Sequence, residues 1–288
     1  MIFSEFIVYD LDHYELPLEE LFFADGEYKY ICPVYGCDGV LLVGPAYPFT
    51  NIERMLMIVS AIRNSNPACR ISYLLPYLPY CRQDKPKQGE SAGLEIIASI
   101  LNSCQFHRIF LIHPHSPIAN KLLHHSHEIS IAPLIQEILG QDKNEQIILV
   151  APDEGASGYV SMIAQQYGYE MVSGHKQRST YNEVDTITIS SQDQAKIVNK
   201  VCYIIDDMYD TGGTLNKLAS ILRDQGAKTI KARCTHGLCN GSWQVRLDKE
   251  LLSQLYFTDT LPHPLHQKII TRDIYQYCLD AALSSLDS

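Results

Sequence analysis

A run of apolar and β-branched residues, Val201-Cys202-Tyr203-Ile204-Ile205, stops on two adjacent carboxylates, Asp206 and Asp207. It then passes through Met208-Tyr209 into Asp210-Thr211-Gly212-Gly213-Thr214. Beyond that turn Leu215, Leu218, Ala219 and Leu222 recur on one helical face, and the pattern ends at Gly226. A short apolar strand, a tight glycine turn and an amphipathic helix, in that order, constrain the fold strongly, because such units join into parallel sheets through helical crossovers. At the junction the backbone N–H groups of the turn and the first helical turn point outward, which suits a phosphate, and Thr211 and Thr214 add hydroxyl donors. Asp206 and Asp207, at the C-terminal end of the strand, are placed for sugar hydroxyls or for a magnesium-bound diol. An ordinary βα turn with a helix cap has a similar composition. An EF-hand is excluded, since the alternating oxygen ligands and closing Glu are absent. A Walker A loop is excluded because no Gly-Lys-Ser/Thr follows.

The same alternation runs along the chain. Strands are expected over Gly39–Val43, Arg70–Leu75, Arg108–Ile112, Gln146–Ala151, Tyr169–Ser173, Val201–Ile205 and Lys228–Cys234. Helices are expected over Asn51–Ser65, Ser91–Cys104, Ala132–Leu139, Tyr159–Tyr167, the Leu215 segment and Ile274–Leu283. Short apolar strands interleaved with amphipathic helices predict parallel sheets covered on both faces. At 288 residues the chain accommodates two such α/β units. The division falls near residues 128–145, giving domains over 1–135 and 136–288.

A net charge of −10 argues against general affinity for nucleic acid or anionic membrane. An anionic substrate must therefore be held by local basic groups, backbone amides and metal. Met1 to Glu20 carry acids and no Lys or Arg, hence no basic n-region, so no signal peptide is expected, and no apolar run approaches a membrane span. Nine cysteines without Cys-x-x-Cys spacing read as reduced thiols in a cytoplasmic protein. The His124-His125-Ser126-His127 cluster lacks the paired spacing of a zinc site and reads as an exposed helix end.

A second strand, ending at Leu75, runs into Pro76-Tyr77-Leu78-Pro79-Tyr80-Cys81-Arg82-Gln83-Asp84-Lys85. Arg82 can clamp a phosphate, Gln83 can read a polar edge, and the tyrosines can flank a ring; taken alone, the segment reads equally well as a proline-ordered surface loop. Together with Asp206–Thr214, however, it strongly resembles the ribose-phosphate pyrophosphokinase family, the phosphoribosyl pyrophosphate synthetases. The resemblance extends from about Phe22 to Thr260. Phe23-Ala24-Asp25-Gly26-Glu27 is similar to the family's Phe-x-Asp-Gly-Glu segment, and Val150-Ala151-Pro152-Asp153 to its Ser-Pro-Asp metal segment. His175-Lys176-Gln177-Arg178, running to Asn182-Glu183-Val184, resembles the mobile catalytic loop, and Thr235-His236-Gly237-Leu238 a late strand-end motif.

The resemblance implies two tandem phosphoribosyltransferase-like α/β domains, their parallel sheets flanked by helices, with the ATP side in the first and the sugar-phosphate and catalytic loops in the second. It implies transfer of the β,γ-pyrophosphoryl group of ATP to the C1 hydroxyl of ribose 5-phosphate, with AMP leaving. Lys176 and Arg178 are the implied catalytic cations. ATP falls to Phe23, Asp25, Gly26, Glu27, Arg82, Gln83 and His115. Ribose 5-phosphate falls to Arg178, Asp206, Asp207, Asp210, Thr211, Gly212, Gly213 and Thr214. His115 and Asp153 match the metal positions, for magnesium or alternatively manganese. The family's use of the Phe23 segment across subunits implies a homodimer or larger homo-oligomer. The compact length and Gln88-Gly89-Glu90-Ser91 resemble archaeal-type members.

Two departures stand out. His113-Pro114-His115 replaces the family's Asp-Leu-His or Asp-Ile-His, and Glu154–Tyr159 replaces its Gly-Gly and basic pair. They leave two alternatives open, pyrophosphoryl transfer to another 5′-substituted ribose and a catalytically silent regulatory homologue.

Overall fold

The computed structural model describes residue 3 and residues 5–177, 186–249 and 251–286. The chain sorts into two units. The first runs to Ser130 and takes in the C-terminal segment from Asp273, and the second covers Ile131–Arg272.

In the first unit β1 (Ile7–Asp10), β2 (Glu15–Leu16), β3 (Glu19–Phe22) and β4 (Tyr28–Ile31) precede β5 (Gly39–Val43) and α1 (Thr50–Ser65). Then come β6 (Arg70–Leu75), α2 (Gly93–Ser103), β7 (Ile109–Ile112), α3 (Ile118–Leu122) and β8 (Ser126–Ile129). The sheet order is β2-β1-β5-β6-β7-β8, in which β5 to β8 are parallel, and β3 and β4 form a separate hairpin. Every residue of β5 and β7 is buried, so both strands are continuous apolar runs, as expected where helices cover both faces.

The second unit contains α4 (Ala132–Leu139), β9 (Ile147–Ala151), α5 (Glu154–Tyr167), β10 (Glu170–Gln177), β11 (Thr186–Ile189) and α6 (Ser191–Ile197). It continues with β12 (Val201–Tyr209), α7 (Gly213–Asp224), β13 (Thr229–Gly237), α8 (Trp243–Leu247), β14 (Gln254–Thr258) and β15 (Ile269–Arg272). The sheet order is β11-β10-β9-β12-β13-β14-β15, all parallel except β11. Alternation along β12 divides the core. Cys202 and Ile204 join Leu215, Leu218 and Leu222 of α7, whereas Val201, Tyr203 and Ile205 join Ile135 of α4 and Val160 and Ile163 of α5. Truncating one of these buried aliphatic side chains to Ala would cost about 2–5 kcal/mol.

Five elements differ from the sequence expectations. The last helix, α9 (Tyr275–Leu286), belongs to the first unit and not to a domain spanning 136–288. Its Tyr275 ring stacks 4.9 Å from Phe3, the Tyr9 and Tyr275 hydroxyls are 3.0 Å apart, and Arg108 donates to Ser285 Oγ at 2.6 Å. These partners are far away in sequence, so adjacency misled. Helix α5 starts at Glu154 instead of Tyr159, because Asp153 caps it by accepting from Ala156 N–H at 3.2 Å. Strand β12 continues past Ile205 to Tyr209, since β13 goes on pairing with it as far as Tyr209↔Gly237. Of the histidine cluster, Ser126 and His127 lie in edge strand β8, not at a helix end, and the His127 ring packs 5.9 Å from Phe110. Last, Lys176 lies in β10, paired with Ile187 of β11, and not in a connecting loop; Arg178 falls outside the described residues.

All nine cysteines are free thiols, and burial pushes several up, Cys202 to about 12 and Cys32 to about 11. Among the described residues no helix is long and apolar enough to cross a membrane.

Candidate functional site

In the second sheet β9 leads through α5 to β10 on one side, whereas β12 enters on the other side of β9. Between β9 and β12 the crossovers diverge, and the C-terminal ends of these two strands open the crevice where α/β sheets bind ligands. The pairing Ile204↔Val150 brings Asp206 and Asp207 beside the β9–α5 turn that carries Asp153. Burial pushes the Asp206 carboxyl well above the ordinary carboxylate range, and the charges of Asp207 and then Asp153 push it the same way. The Asp207 N–H, donating to Asp206 Oδ1 at 3.0 Å, opposes this shift. A hard divalent cation near the Asp206 carboxyl would favour its charged form, and carboxylate oxygens are the donor type such a cation takes.

The turn after β12 departs at Tyr209. Gly212 has φ +77, and a Cβ there would lie 2.7 Å from Tyr209 Cζ and closer still to the hydroxyl oxygen. Both the left-handed backbone and the aromatic wall therefore require glycine. Gly213 opens α7, placing Thr211, Gly213 and Thr214 around the start of a helix with Leu215, Leu218 and Leu222 buried behind it. The turn's carbonyls are held from behind. Leu238 and Cys239 N–H both donate to Tyr209 O (2.9 and 3.1 Å), and Asn240 N–H donates to Asp210 O (3.2 Å). The Asn240 side-chain amide donates to Asp210 Oδ1 (2.9 Å), Arg246 Nη1 to Thr211 O (2.8 Å), and Asn216 Nδ2 to Gly212 O (3.0 Å). The Tyr209 hydroxyl donates to Trp243 O at 3.3 Å and docks α8 against the same turn.

On the other side of β9, β10 rises next to the Asp153 turn. A Cβ on Gly174 would lie 2.6 Å from the Pro152 carbonyl oxygen, so only glycine lets the strand approach so closely. The Ser173 and Ser157 hydroxyls are 3.1 Å apart, and His175 Nδ1 lies 3.7 Å from Glu154 Oε1. Strand β10 is thus tied to the first turns of α5 immediately before Lys176.

In the first unit the loops after β6 and β7 leave the same edge of the sheet, because those strands are parallel neighbours. Arg82 and Gln83 are exposed on the first of these loops. Gln83 N–H donates to Tyr80 O at 2.8 Å, and the Gln83 carbonyl accepts from Leu94 N–H at 3.4 Å, folding the loop on to the start of α2. Tyr47 meets Tyr77, and Phe49 meets Tyr80, edge to face at 5.8 and 5.9 Å. On the second loop His113 is buried with φ +43, whereas His115 is exposed. Phe23, Asp25, Gly26 and Glu27 form the exposed tip of the β3–β4 hairpin. There Phe23 N–H donates to Glu27 O (2.7 Å) and Glu27 N–H to Asp25 Oδ1 (3.1 Å). The hairpin leans on α1, where Arg54 lies 3.4 Å from Glu20 and 5.7 Å over the Tyr28 ring.

Within the second unit, then, the structure gathers Asp153, Asp206, Asp207 and Asp210–Thr214 along one edge, with the backbone of Lys176 at the end of neighbouring β10. Arg82, Gln83 and His115 share one edge of the first sheet. Among the described residues no set of three His, Cys, Asp or Glu side chains converges as a metal site. Asn216, Asn240 and Arg246 escaped the sequence reading; Asn216 alone had a signal, its position just inside the helix that follows the glycine turn.

Residues 120–250 match the phosphoribosyl transferase domain. A ribose-phosphate pyrophosphokinase of Corynebacterium efficiens is 30% identical over 271 residues, covering 90% of this chain and 81% of its own. One from Methanopyrus kandleri is 29% identical over 263 residues, covering 90% and 88%. Among solved structures, the phosphoribosylpyrophosphate synthetase from Mycobacterium smegmatis superposes with a TM-score of 0.80 at 25% identity, over 96% of this chain and 92% of its own. With a relative of that identity aligned over four-fifths of its length, and the glycine turn at the edge of a parallel sheet, the chain belongs to the ribose-phosphate pyrophosphokinase family.

Proposed function

We propose that the protein transfers the β,γ-pyrophosphoryl group of ATP to the C1 hydroxyl of ribose 5-phosphate, giving phosphoribosyl pyrophosphate and AMP. The observation that carries this reading is the Tyr209–Thr214 turn, its carbonyls held from behind and three carboxylates gathered beside it. A turn of that form receives a phosphate monoester on its N–H groups and the hydroxyls of Thr211 and Thr214. Asp206 and Asp207 then meet the ribose hydroxyls.

In the reaction the sugar O1 forms a bond to the β-phosphorus, the bond from that phosphorus to the oxygen bridging to the α-phosphorus breaks, AMP departs with the electron pair, and the O1 proton is released to solvent. Negative charge develops on the transferred group, and Lys176 and Arg178 are assigned to it as cations acting chiefly in the transition state. Arg82, Gln83 and His115, with Phe23, Asp25, Gly26 and Glu27 contributed from a neighbouring copy, are assigned to ATP. Magnesium, or manganese in its place, is assigned to Asp153, whose carboxylate is an oxygen donor of the kind it takes, and to His115 by resemblance to the family's metal positions. When bound, the cation neutralises phosphate oxygens and lowers the repulsion that disfavours charge on Asp206. The enzyme is read as a cytoplasmic homodimer or larger homo-oligomer.

The test is incubation with ATP, magnesium and ribose 5-phosphate, following AMP and the pyrophosphorylated sugar by anion-exchange chromatography. Both products should appear in equal amounts. AMP release only with a ribose carrying a larger 5′ group would reassign the acceptor, and none with any C1-hydroxyl sugar would overturn the reading.

A further inference from the structure

We propose that Arg246, on α8, is a positioning residue of the sugar-phosphate turn. It aims the Gly212 N–H at the 5-phosphate and makes it a stronger donor. The proposal rests on the ribose 5-phosphate reading above and goes beyond it, because Arg246 lies thirty-five positions from the residue it holds and in no motif that the sequence offered.

A trans peptide is planar, so the C=O of one residue and the N–H of the next point in opposite directions, and fixing one fixes the other. Three carbonyls of the turn are each taken by a named donor behind it. Asn240 N–H holds Asp210 O at 3.2 Å, which orients the Thr211 N–H. Arg246 Nη1 holds Thr211 O at 2.8 Å, which orients the Gly212 N–H. Asn216 Nδ2 holds Gly212 O at 3.0 Å, which orients the Gly213 N–H. Each N–H is thereby turned away from the donor that holds its own carbonyl, and the Gly212 N–H is turned away from the Arg246 guanidinium.

The three anchors are not equivalent. Asn240 acts through its backbone, and its side-chain bond to Asp210 Oδ1 duplicates the hold. Asn216 is supported by its own backbone N–H, which also donates to Gly212 O at 3.1 Å. Among the described residues, the named donor holding the Thr211–Gly212 peptide is a single side chain from outside the turn, and this is also the peptide leading into the left-handed Gly212. Because the donor is charged, the bond polarises that peptide and strengthens the donor at its other end. It also brings a positive charge to within one peptide of the bound dianion, in a chain of net charge −10. Arg246 is itself set in place, since α8 is docked by the Tyr209 hydroxyl on Trp243 O, and the guanidinium lies 3.5 Å from where a Gly213 Cβ would sit.

The test compares parent, Arg246→Gln and Arg246→Lys by steady-state AMP release, and by calorimetric binding of ribose 5-phosphate and of unphosphorylated ribose to protein saturated with magnesium and α,β-methylene-ATP. Arg246→Gln should weaken ribose 5-phosphate about tenfold, in KM and in Kd, with the KM for ATP and the affinity for unphosphorylated ribose within twofold of the parent. Arg246→Lys, which keeps a charged donor, should recover at least a third of the lost affinity. A merely structural role would move ATP and both sugars together, or lower thermal stability without selectivity for the phosphate. Either of those results, or equal ribose 5-phosphate affinity in parent and Arg246→Gln, overturns the proposal. A parent that binds no ribose 5-phosphate at all overturns the functional reading beneath it, which is a distinct outcome.

Discussion

Replacing Gly212 by Ala should damage the turn in two separable ways. At φ +77 an L-residue carries a left-handed cost of about 1–2 kcal/mol. The new methyl would also stand 2.7 Å from Tyr209 Cζ, and nearer to the hydroxyl, in a ring that is 1% exposed and cannot swing aside. Forcing extra volume into such a wall adds about 1–3 kcal/mol, so Gly212→Ala should cost the second unit about 2–5 kcal/mol. The single tryptophan of the chain, Trp243, lies in α8 of that unit. Its fluorescence during urea unfolding therefore reports the second unit alone, avoiding the mixed transitions of a two-unit chain. Tyr209→Leu removes the wall. In that background Gly212→Ala should retain only the left-handed part, leaving a coupling of about 1–3 kcal/mol between the two sites. Equal cost in both backgrounds would refute the steric wall, and no cost in the parent would refute the left-handed turn itself.

Lys176→Ala should lower turnover by about 100- to 1000-fold while ATP affinity changes less than a few-fold, a split that marks a group acting on transition-state charge; unchanged AMP release would remove Lys176 from the mechanism. Asp207→Asn should weaken ribose 5-phosphate about tenfold or more and spare ATP, and calorimetry showing the reverse would mean the two substrates have been assigned to each other's residues. Asp142 accepts from the Tyr203 hydroxyl (2.6 Å) and from Lys231 Nζ (2.7 Å). Burial works to raise its carboxyl, but these two partners outweigh burial and hold it below the ordinary carboxylate value. Its stabilisation is therefore present above about pH 4 and is lost as pH falls through the depressed folded value. Asp142→Asn should cost about 1–3 kcal/mol at pH 7 and flatten the acid limb of the stability profile; an unchanged limb would show that other carboxylates govern acid unfolding.

Much of both units is legible in the chain because the signals are local. Ala132–Leu139, Gly39–Val43 and Arg70–Leu75 end where expected, since each is an apolar run with Gly, Pro or a charged residue at its border. The glycine turn is equally plain, for Gly212-Gly213 must interrupt any regular element. Other features depend on partners remote in sequence. Asp206 and Asp207 read as the end of their strand until β13 is seen to carry the pairing on to Tyr209. Lys176 reads as loop because its polar surroundings conceal the pairing with Ile187. The β3–β4 hairpin mixes charged and aromatic residues with no buried position, so it lacks the apolar run that marks a core strand. Arg246 sits on a five-residue helix with nothing nearby to announce it.

The course of α9 has a consequence for how the molecule is made. The last element of the first unit is synthesised after the whole of the second, so the order of completion on the ribosome reverses the order in the sequence. Residues Ile131–Arg272 are finished, and their sheet can close, while the earlier strands still await the face carrying Tyr275, Leu279 and Leu283. At about 5–20 residues per second, the second unit takes several seconds or more to emerge. For that interval Phe3 and Tyr9 lack their native cover. The nascent first unit is thus the part of the chain that a chaperone would find exposed, and its closure waits on the synthesis of α9.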